Sequence, residues 1–232
     1  MKTFLVIGGT SGIGLELTKL LSKNGDRVIV LSREKRNLED LENVEFLRYD
    51  VTGTEPLPKI DEQIHGLAYC PGTINLKPFR TLKTEDYQKD FEINLLGAVK
   101  VINGYFQNLK SAEYSSIVLF STVAVQTGMQ YHASIASAKG AVEGLTRTLA
   151  AEFAPSIRVN CIAPSITYTP LAEKLLNSEQ KLKASEERHP LKRIGNSAEI
   201  AGLAYFLLSD RSAFITGQII KVDGGISSIK NI

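Results

Sequence analysis

Short apolar runs alternate along the chain with longer segments in which apolar residues recur every three or four positions. The short runs are rich in Val, Ile, Leu and aromatic residues and are bounded by Gly, Pro or Asp, which predicts strands. These strands cover residues 4–7, 27–31, 46–49, 66–70, 116–120, 157–162 and 218–222. The longer segments predict helices. These helices cover about residues 12–24, 84–109, 136–153 and 198–208.

Several predicted strands are apolar at consecutive positions, which is typical of parallel strands covered by helices on both faces. Alternation of strands and helices indicates a doubly wound sheet with right-handed crossovers. We therefore predict an α/β protein with a seven-stranded parallel sheet and one domain over residues 1–232. One crossover is expected to lack a full helix, because only fourteen residues separate Asp50 from His65 and two of them are Pro56 and Pro58.

Composition narrows the class of protein without indicating a function. Of the 232 residues, 43% are hydrophobic and 22% are charged, as in ordinary globular proteins with a substantial core. The formal net charge of +2 is too small to indicate nucleic acid or an anionic membrane as a partner. The sequence has no signal-peptide pattern and no run of eighteen apolar residues. Two distant cysteines, Cys70 and Cys161, indicate buried free thiols and no metal site. We therefore expect a cytoplasmic protein.

A glycine-rich segment follows the first predicted strand and opens the first predicted helix. Residues 8–14 are Gly-Gly-Thr-Ser-Gly-Ile-Gly. Glycine lets the backbone turn tightly and approach a pyrophosphate, and the free N–H groups of the following helix attract phosphates. A tight turn alone would also use glycine. The position between a strand and a helix nevertheless favours a dinucleotide-binding loop of the Rossmann type.

Further motifs follow in order along the rest of the chain. They are Asp50-Val51, Asn94, and the segments at residues 139–147, 158–164, 216–218 and 222–225. Together with Gly8, Gly12 and Gly14, these motifs resemble the short-chain dehydrogenase/reductase family over essentially the whole chain. The resemblance implies an oxidoreductase that transfers hydride between a nicotinamide cofactor and a carbonyl or alcohol substrate.

The end of the second predicted strand bears on the choice of cofactor. Sites selective for NAD place a carboxylate there for the ribose 2′-OH, whereas a guanidinium suits the 2′-phosphate of NADP. Here the positions carry Ser32 and Arg33. We therefore expect NADP(H) to be preferred, with NAD(H) possible, although Arg33 could also be a solvated loop residue. The resemblance implies that the cofactor contacts are Gly8, Thr10, Ser11, Gly12, Ile13, Gly14, Arg33, Asp50, Val51, Gly72, Lys139, Ile166 and Thr169.

The family catalyses hydride transfer with Asn, Ser, Tyr and Lys, the Tyr standing four residues before the Lys on one helix face. The neighbouring ammonium lowers the pKa of the phenol from about 10, so that the Tyr can exchange a proton with the substrate oxygen. The resemblance assigns Asn94, Thr122 and Lys139 to three of these positions. Ile135 stands four residues before Lys139 and carries no exchangeable side-chain proton. Tyr131 lies eight residues before Lys139, about 12 Å along a helix, and no tyrosine of the chain has a Lys four residues after it.

Two hypotheses about function remain open. In the first, the chain is an oxidoreductase whose proton comes from another group. His132 is the first candidate, because it lies three residues before Ile135 and histidine changes its charge near neutral pH. Ser134 and a water held by Lys139 and Asn94 come next. In the second, the chain is a catalytically silent NADP(H)-binding sensor or subunit, and His132 is a solvated residue near a helix start.

The retained Asn, Thr and Lys positions favour the enzyme. General acid–base catalysis contributes about 10²–10⁴-fold, so the loss of the Tyr impairs hydride transfer without forbidding it. Two other family motifs also differ, since the family's Asn-Asn-Ala-Gly is Tyr-Cys-Pro-Gly at residues 69–72 and its Pro-Gly is Pro164-Ser165.

Two segments are expected to shape the substrate site and the assembly. The charged segment at about 165–190 has Leu171, Leu175 and Leu176 at helical spacing and resembles the family's substrate lid, although a plain surface helix would show the same pattern. It does not identify a small-molecule substrate. The predicted helix at 136–153 carries small residues, Gly140, Ala141, Gly144 and Ala151. Family members commonly pair such helices across a twofold axis, so we expect a homotetramer or a dimer.

Overall fold

The computed structural model describes residues 1–230 and contains a seven-stranded, all-parallel sheet. The strands in chain order are β1 (Thr3–Ile7), β2 (Arg27–Ser32), β3 (Val44–Arg48), β4 (Gly66–Tyr69), β5 (Ser115–Phe120), β6 (Ile157–Pro164), β7 (Thr167–Tyr168), β8 (Gly195–Asn196) and β9 (Ile219–Val222). The main sheet has the order β3-β2-β1-β4-β5-β6-β9, and β7 pairs separately with β8. The winding therefore reverses between β1 and β4. The predicted doubly wound α/β fold with seven parallel strands is confirmed.

Helices pack on both faces of this sheet. They are α1 (Gly12–Lys23), α2 (Thr84–Phe91), α3 (Gly97–Gly104), α4 (Phe106–Lys110), α5 (Ala124–Thr127), α6 (Ala133–Phe153), α7 (Glu173–Leu176), α8 (Glu179–Glu187) and α9 (Ser197–Leu208). Side chains of α1 and α9 fill the core on one face, and side chains of α3 and α6 fill the core on the other. The start of α9 is fixed by a capping box, in which Asn196 and Glu199 each bond the other's backbone N–H.

Strand β1 illustrates why the strand sequences are apolar at consecutive positions. Side chains alternate between the two faces of a strand. Leu5 and Ile7 enter the core beneath α3 and α6, whereas Phe4 and Val6 enter the core beneath α1 and α9. All four residues are buried. Both faces of β1 are therefore shielded from water, as the sequence pattern predicts.

The helix predicted over residues 84–109 is not continuous. α2 ends at Phe91, residues Glu92–Leu96 form a π-helical turn, and Tyr105 separates α3 from α4. Within the π turn the side-chain amide of Asn94 donates to the carbonyl oxygen of Asp90, at 2.8 Å. A side chain that satisfies a backbone carbonyl in this way competes with the regular helical ladder. Apolar periodicity does not reveal this competition.

Helix α6 begins at Ala133, three residues before its predicted start. Tyr131, two residues before this helix, has φ +67°, in the left-handed region, so the chain turns there. Tyr131 is therefore not on α6, and the expected separation of two helical turns from Lys139 does not apply. Tyr131 is also 56% exposed, which removes it from the interior of the fold.

The predicted thin crossover and the charged segment at about 165–190 differ in secondary structure. Within the described chain, no helix lies between Tyr49 and Gly66, which confirms the thin crossover. The segment after β6 contains β7, a 3₁₀ turn at Pro170–Ala172, α7 and α8. It therefore has more secondary structure than a single surface helix. No helix of residues 1–230 is long and apolar enough to cross a membrane.

Candidate functional site

Two adjoining depressions lie at the C-terminal edge of the sheet, where the winding reverses. The first, called the groove below, measures about 360 Å³ and lies between the loop at residues 8–14 and the ends of β2 and β3. The second, called the cavity, measures about 610 Å³ and lies between the ends of β5 and β6, the start of α6 and the helix α8. They share the lining residues Ile13, Cys70, Gly72, Thr169 and Leu171, so they form one continuous site. Open α/β sheets bind ligands at such a position.

The glycine loop brings its backbone to the surface of the groove. Gly8 and Gly12 have φ values of +75° and +53°, in the region that favours glycine. A Cβ on Gly14 would lie 2.3 Å from the carbonyl oxygen of Gly8, so a larger residue would displace the loop. Ser11 precedes α1 and, within the described chain, its side chain makes no capping bond. Its hydroxyl and the first N–H groups of α1 can therefore bind an anion.

The end of β2 presents a hydroxyl and a guanidinium. Ser32 Oγ lies 3.0 Å from the Oγ1 of Thr10, which is buried behind the loop. The side chain of Thr10 therefore supports the groove from behind and does not line it. Arg33 lines the groove and is exposed. The nearby Arg36 is paired with Glu34, whereas Arg33 has no ion-pair partner among residues 1–230. Its guanidinium can therefore bind an added anion.

The far wall of the groove follows β3. Asp50 and Val51 both line it. The Oδ1 of Asp50 accepts hydrogen bonds from the N–H and the hydroxyl of Thr52, at 3.0 and 2.8 Å. Both bonds hold the pKa of Asp50 below its usual range, and the bond from the Thr52 N–H has the larger effect. The positive charge of Arg33 also lowers this pKa. Asp50 is therefore an ionised acceptor at neutral pH.

Asn94 and Lys139 converge on Gly72. The Nδ2 of Asn94 donates to Thr73 Oγ1 at 2.8 Å, and the Oδ1 of Asn94 is buried without a partner among the described residues. Lys139 Nζ donates to the carbonyl oxygen of Phe120 at 2.7 Å. The position of a Cβ on Gly72 lies 3.3 Å from Asn94 Oδ1 and 3.6 Å from Lys139 Nζ. Both polar atoms therefore flank Gly72, and the unpartnered amide oxygen is an acceptor for a water.

Burial lowers the pKa of Lys139 to about 8, because the charged ammonium loses its hydration. The carboxylate of Asp90 opposes this shift. Asp90 is 1% exposed and accepts hydrogen bonds from Thr73 Oγ1, at 2.6 Å, and from the hydroxyl of Ser134. It therefore joins the end of α2 to the start of α6. Asp90 was not predicted as a site residue, although its position four residues before Asn94 was a usable signal.

The expected acid–base position is apolar. Ile135 is 5% exposed and lines the cavity together with Thr122 and Lys139. Thr122 Oγ1 accepts from the N–H of Ala124 at 3.3 Å, which leaves its hydroxyl hydrogen for a ligand. His132 also lines the cavity, at the residue before α6, with Nδ1 2.7 Å from the carbonyl oxygen of Gln130. The structure therefore brings three of the four predicted catalytic residues to one cavity, with Asn94 directly behind it.

The segment after β6 closes the other side of the cavity. Ile166 and Thr169 line it, and the Thr169 hydroxyl also caps the following 3₁₀ turn. Ser165 and His189 lie in the same wall, and the sequence singled out neither as a site residue. Ser165 was visible only as a departure from a family motif. His189 gave no signal, because it reaches the cavity only through the path of residues 165–190.

The cavity has a one-sided charge pattern. Its lining includes Lys139, Lys181 and Arg188, and no Asp or Glu among the described residues. Most of the other lining residues are apolar, such as Leu175 and Met129. Cys70 lies where the groove meets the cavity, and burial raises the pKa of its thiol to about 12. Cys70 therefore stays a protonated thiol at neutral pH and is no nucleophile.

Comparison with known proteins agrees with this geometry. Residues 8–227 match the family model described as enoyl-(acyl carrier protein) reductase. The chain is 31% identical to L-xylulose reductase of Bos taurus, over 95% of this chain and 94% of the relative. A short chain dehydrogenase family protein from Francisella tularensis superposes with a TM-score of 0.89 and 28% identity, covering 99% of this chain and 100% of the other. ElxO with NADP bound superposes with a TM-score of 0.86 and 27% identity, over 98% and 99% of the two chains.

Proposed function

Because the chain belongs to the short-chain dehydrogenase/reductase family, we propose that it binds NADP(H) and transfers hydride between this cofactor and a carbonyl or alcohol substrate. The observation that carries the proposal is the continuity of the groove with the cavity, which share five lining residues including Ile13 and Thr169. A ligand that fills the groove thus borders the space in which Lys139 and Thr122 lie. Relatives named for reduction and a fold neighbour with NADP bound support this activity.

The residues of the groove fit a nicotinamide dinucleotide. The loop at Gly8 packs so closely on Gly14 that an added Cβ would displace it. The start of α1 lines the groove, and its N–H groups can bind a phosphate. The Arg33 guanidinium can bind a 2′-phosphate. The position that carries a carboxylate for the 2′-OH in NAD-selective sites is Ser32 in this chain. The Asp50 carboxylate would accept a hydrogen bond from the adenine end of the cofactor. These features support NADP(H) as the preferred cofactor and NAD(H) as the weaker one.

The protein residues would position the substrate and move the proton. NADP(H), when bound, supplies or accepts the hydride. The Thr122 hydroxyl would orient the substrate oxygen, and Lys139 would bind the cofactor ribose from its buried position beside Phe120. The unpartnered Asn94 Oδ1 supports a water held between Asn94 and Lys139. This water would connect the cavity to the proton donors of the protein.

The acid–base step is where this chain departs from the family pattern. Ile135 lies at the position of the family's tyrosine and offers only carbon to the cavity. This observation also favours a second function, a silent NADP(H)-binding subunit in which the cavity holds a ligand without turnover. We place the enzyme first, because a binding subunit has no need for a desolvated lysine and an orphaned amide oxygen next to the ligand.

A screen for cofactor oxidation separates these two functions. NADPH would be mixed with the protein and a panel of aliphatic, cyclic and aromatic ketones and diketones, and its absorbance followed. We expect slow but reproducible oxidation with at least one carbonyl compound. NADPH binding in calorimetry combined with no oxidation by any carbonyl compound would favour the silent subunit. No binding of either nicotinamide cofactor would contradict both.

The cavity lining also limits the substrate class. The lining has cationic side chains, no acidic side chain among the described residues, and mostly apolar walls. This lining favours a carbonyl compound that has an apolar body and a carboxylate. Lys181 and Arg188 on α8 and just after it would hold the carboxylate, and residues at about 165–190 would act as the lid. We expect a keto acid to be turned over about tenfold more efficiently than its methyl ester, equivalent to about 1.4 kcal/mol. Equal kcat/KM for acid and ester would exclude a carboxylate site.

We further propose that copies of the chain associate through α6. Gly144 and Ala151 on this helix are exposed, and a Cβ on Gly144 would have no described neighbour within 4 Å. Such a face permits close approach of a second helix, and C₂ contacts are the commonest route to assembly. Light scattering at micromolar concentration should therefore give a dimer or a tetramer. A particle of 25.4 kDa alone would contradict the association.

A further inference from the structure

Ser165 and His189 form a hydrogen-bonded pair in the wall of the cavity. Ser165 Oγ lies 2.9 Å from His189 Nε2. Both residues line the cavity together with Thr122, Ile135 and Lys139. His189 is 1% exposed, so bulk water does not compete for its ring nitrogens. The pair therefore joins strand β6 to the end of the lid inside the proposed substrate site.

The second ring nitrogen of His189 fixes the direction of this hydrogen bond. His189 Nδ1 lies 2.7 Å from the carbonyl oxygen of Ser185, and a carbonyl oxygen can only accept. Nδ1 therefore carries a hydrogen. In the neutral imidazole, Nε2 is then the acceptor and the Ser165 hydroxyl is the donor. A hydroxyl bonded to a base whose other side is held by a third group is the general arrangement of an activated side-chain hydroxyl.

Both members of the pair are held by backbone contacts. The Ser165 N–H donates to the carbonyl oxygen of Val222, at 3.2 Å, on the β9 side. On the β5 side, the N–H of Val123 donates to the carbonyl oxygen of Pro164, also at 3.2 Å. This second bond joins the end of β6 to the loop after β5 that carries Thr122. Ser165 is the next residue after Pro164 and therefore lies close to this loop. His189 packs against Gly224, where an added Cβ would lie 3.4 Å from its ring.

We propose that Ser165, positioned and reprotonated by His189, is the acid–base residue of this chain in place of the phenol that Ile135 cannot supply. The proposal rests on the proposed hydride transfer. In the reductive direction, the carbonyl carbon gains a hydride from NADPH, and the carbonyl oxygen takes the π electrons and the Ser165 proton. At the same time the Ser165 oxygen takes the Nε2 proton of His189, which enters this step as the imidazolium and leaves it as the neutral Nδ1–H tautomer. A hydronium ion of the cavity solvent then returns a proton to Nε2 through the Ser165 hydroxyl and becomes water. In the oxidative direction, each proton moves in the reverse sense.

His132, the candidate that sequence spacing favours, fits this role less well. Its Nδ1 is held by Gln130, two residues away, at the turn before α6. His132 is also only partly buried, whereas His189 is 1% exposed. Two cations, Lys181 and Arg188, line the same cavity as His189. They donate to Asn177 Oδ1 at 2.8 Å and to Ser185 Oγ at 3.3 Å, and among the described residues neither bonds the His189 ring.

The kinetic test uses the carbonyl compound that gives the highest turnover in the screen. Ser165→Ala and His189→Gln should each lower kcat by roughly 100-fold, as expected for the loss of general acid–base help. The KM for NADPH should not change. The double variant should be no slower than either single variant, because the two residues act as a unit. Ser165→Thr keeps a hydroxyl and should retain most of the activity, and Ser137→Ala on the exposed face of α6 is the matched control.

A second readout does not depend on turnover. Nitrogen-15 NMR of the three histidines should show His189 as the Nδ1–H tautomer, assigned by the loss of its signals in His189→Gln. In Ser165→Ala the Nε2 resonance should shift while the Nδ1–H resonance remains. An Nε2–H tautomer at His189 in the neutral protein would overturn the proposed direction of the hydrogen bond.

The outcomes separate this proposal from the proposed function. A wild-type protein that reduces a carbonyl compound, with Ser165→Ala 100-fold slower and Ser165→Thr active, supports the pair. An active wild-type protein whose kcat survives Ser165→Ala overturns the pair alone. A wild-type protein that binds NADPH but reduces no carbonyl compound overturns the proposed function, and the catalytic role of the pair with it.

Discussion

The groove and the cavity are continuous, yet they are made from different parts of the chain. One wall of the groove is the backbone of the glycine loop: at Gly14 a single added carbon would lie 2.3 Å from a carbonyl oxygen. The cavity is mainly side chains from elements that are distant in sequence, such as Thr122 after β5, Ile135 on α6 and His189 after α8. A backbone site admits few substitutions, whereas a side-chain site can exchange one reacting group for another. On this basis we expect the glycine loop to tolerate fewer substitutions than position 135 in the cavity.

The two regions also differ in solvation. In the groove, Arg33 and Asp50 are exposed, so their charges are hydrated before a ligand arrives. In the cavity, Lys139 is buried, and its pKa falls to about 8. Charges at a buried site act more strongly on a neighbouring ligand than charges in water. The groove should therefore control affinity and cofactor choice, and the cavity should control the rate.

Closing the backbone cradle should have the largest effect. Gly14→Val places carbon against the Gly8 carbonyl oxygen and displaces the loop, so NADPH affinity should fall by at least about 100-fold, or roughly 3 kcal/mol. Calorimetric titration measures this loss. Gly202→Ala on α9 is the control, because its added Cβ meets no described atom within 4 Å. Unchanged NADPH affinity in a folded Gly14→Val protein would contradict a backbone-built groove.

Restoring the phenol tests the cavity from the opposite direction. Ile135→Tyr recreates the Tyr-x-x-x-Lys spacing beside Lys139 and should raise kcat by about 10–100-fold. In Ile135→Phe the new side chain has nearly the volume of tyrosine but no hydroxyl, so kcat should not rise. Steady-state NADPH oxidation by the best carbonyl compound measures both. An increase in Ile135→Phe equal to that in Ile135→Tyr would show that space, and not a proton, was limiting.

The buried ammonium gives a stability effect that depends on pH. Because the pKa of Lys139 is about 8 in the folded protein and near 10.5 when exposed, the unfolded chain binds more protons between these values. The free energy of unfolding of the wild type, relative to Lys139→Met, should therefore rise as the pH increases from about 8 to 10. The rise should be at most about 3 kcal/mol. Urea unfolding at pH 7 and pH 10 measures it, and the exposed Lys183→Met is the control. A difference independent of pH would mean that Lys139 is not desolvated.

Removing the free guanidinium should have the smallest effect. Arg33→Ala should weaken NADPH binding about tenfold, or by about 1.4 kcal/mol, and leave NADH binding unchanged. Arg36→Ala is the matched control, since that guanidinium is paired with Glu34. Equal weakening of both cofactors, or no change in the preference between them, would contradict the assignment of Arg33 to the 2′-phosphate.

Much of the fold could be predicted because it depends on local patterns. Consecutive apolar residues on β1 and the glycine spacing at residues 8–14 each report a local requirement of the backbone. The break at Glu92–Leu96 could not be predicted, because it involves the side chain of Asn94 and the carbonyl of Asp90. Apolar periodicity carries no information about such a polar contact.

The candidate site was predictable to the same extent. Lys139 and Asn94 were predicted from their motifs, and the structure brings both to Gly72. The pair of Ser165 and His189 was not found, because its partners are separated by 24 residues and meet only after residues 165–190 fold back towards the end of β9. No spacing rule predicts a contact that depends on the path of a long irregular segment.

Deuteride transfer tests the central claim that the groove and the cavity form one redox site. NADPH carrying deuterium at the transferable C4 position would be mixed with excess wild-type protein and the carbonyl compound of highest turnover, and the alcohol analysed by mass spectrometry. The account predicts one deuterium at the new carbinol carbon of each product molecule, and no labelled alcohol with Gly14→Val. Tight NADPH binding with no labelled alcohol from any carbonyl compound would contradict it.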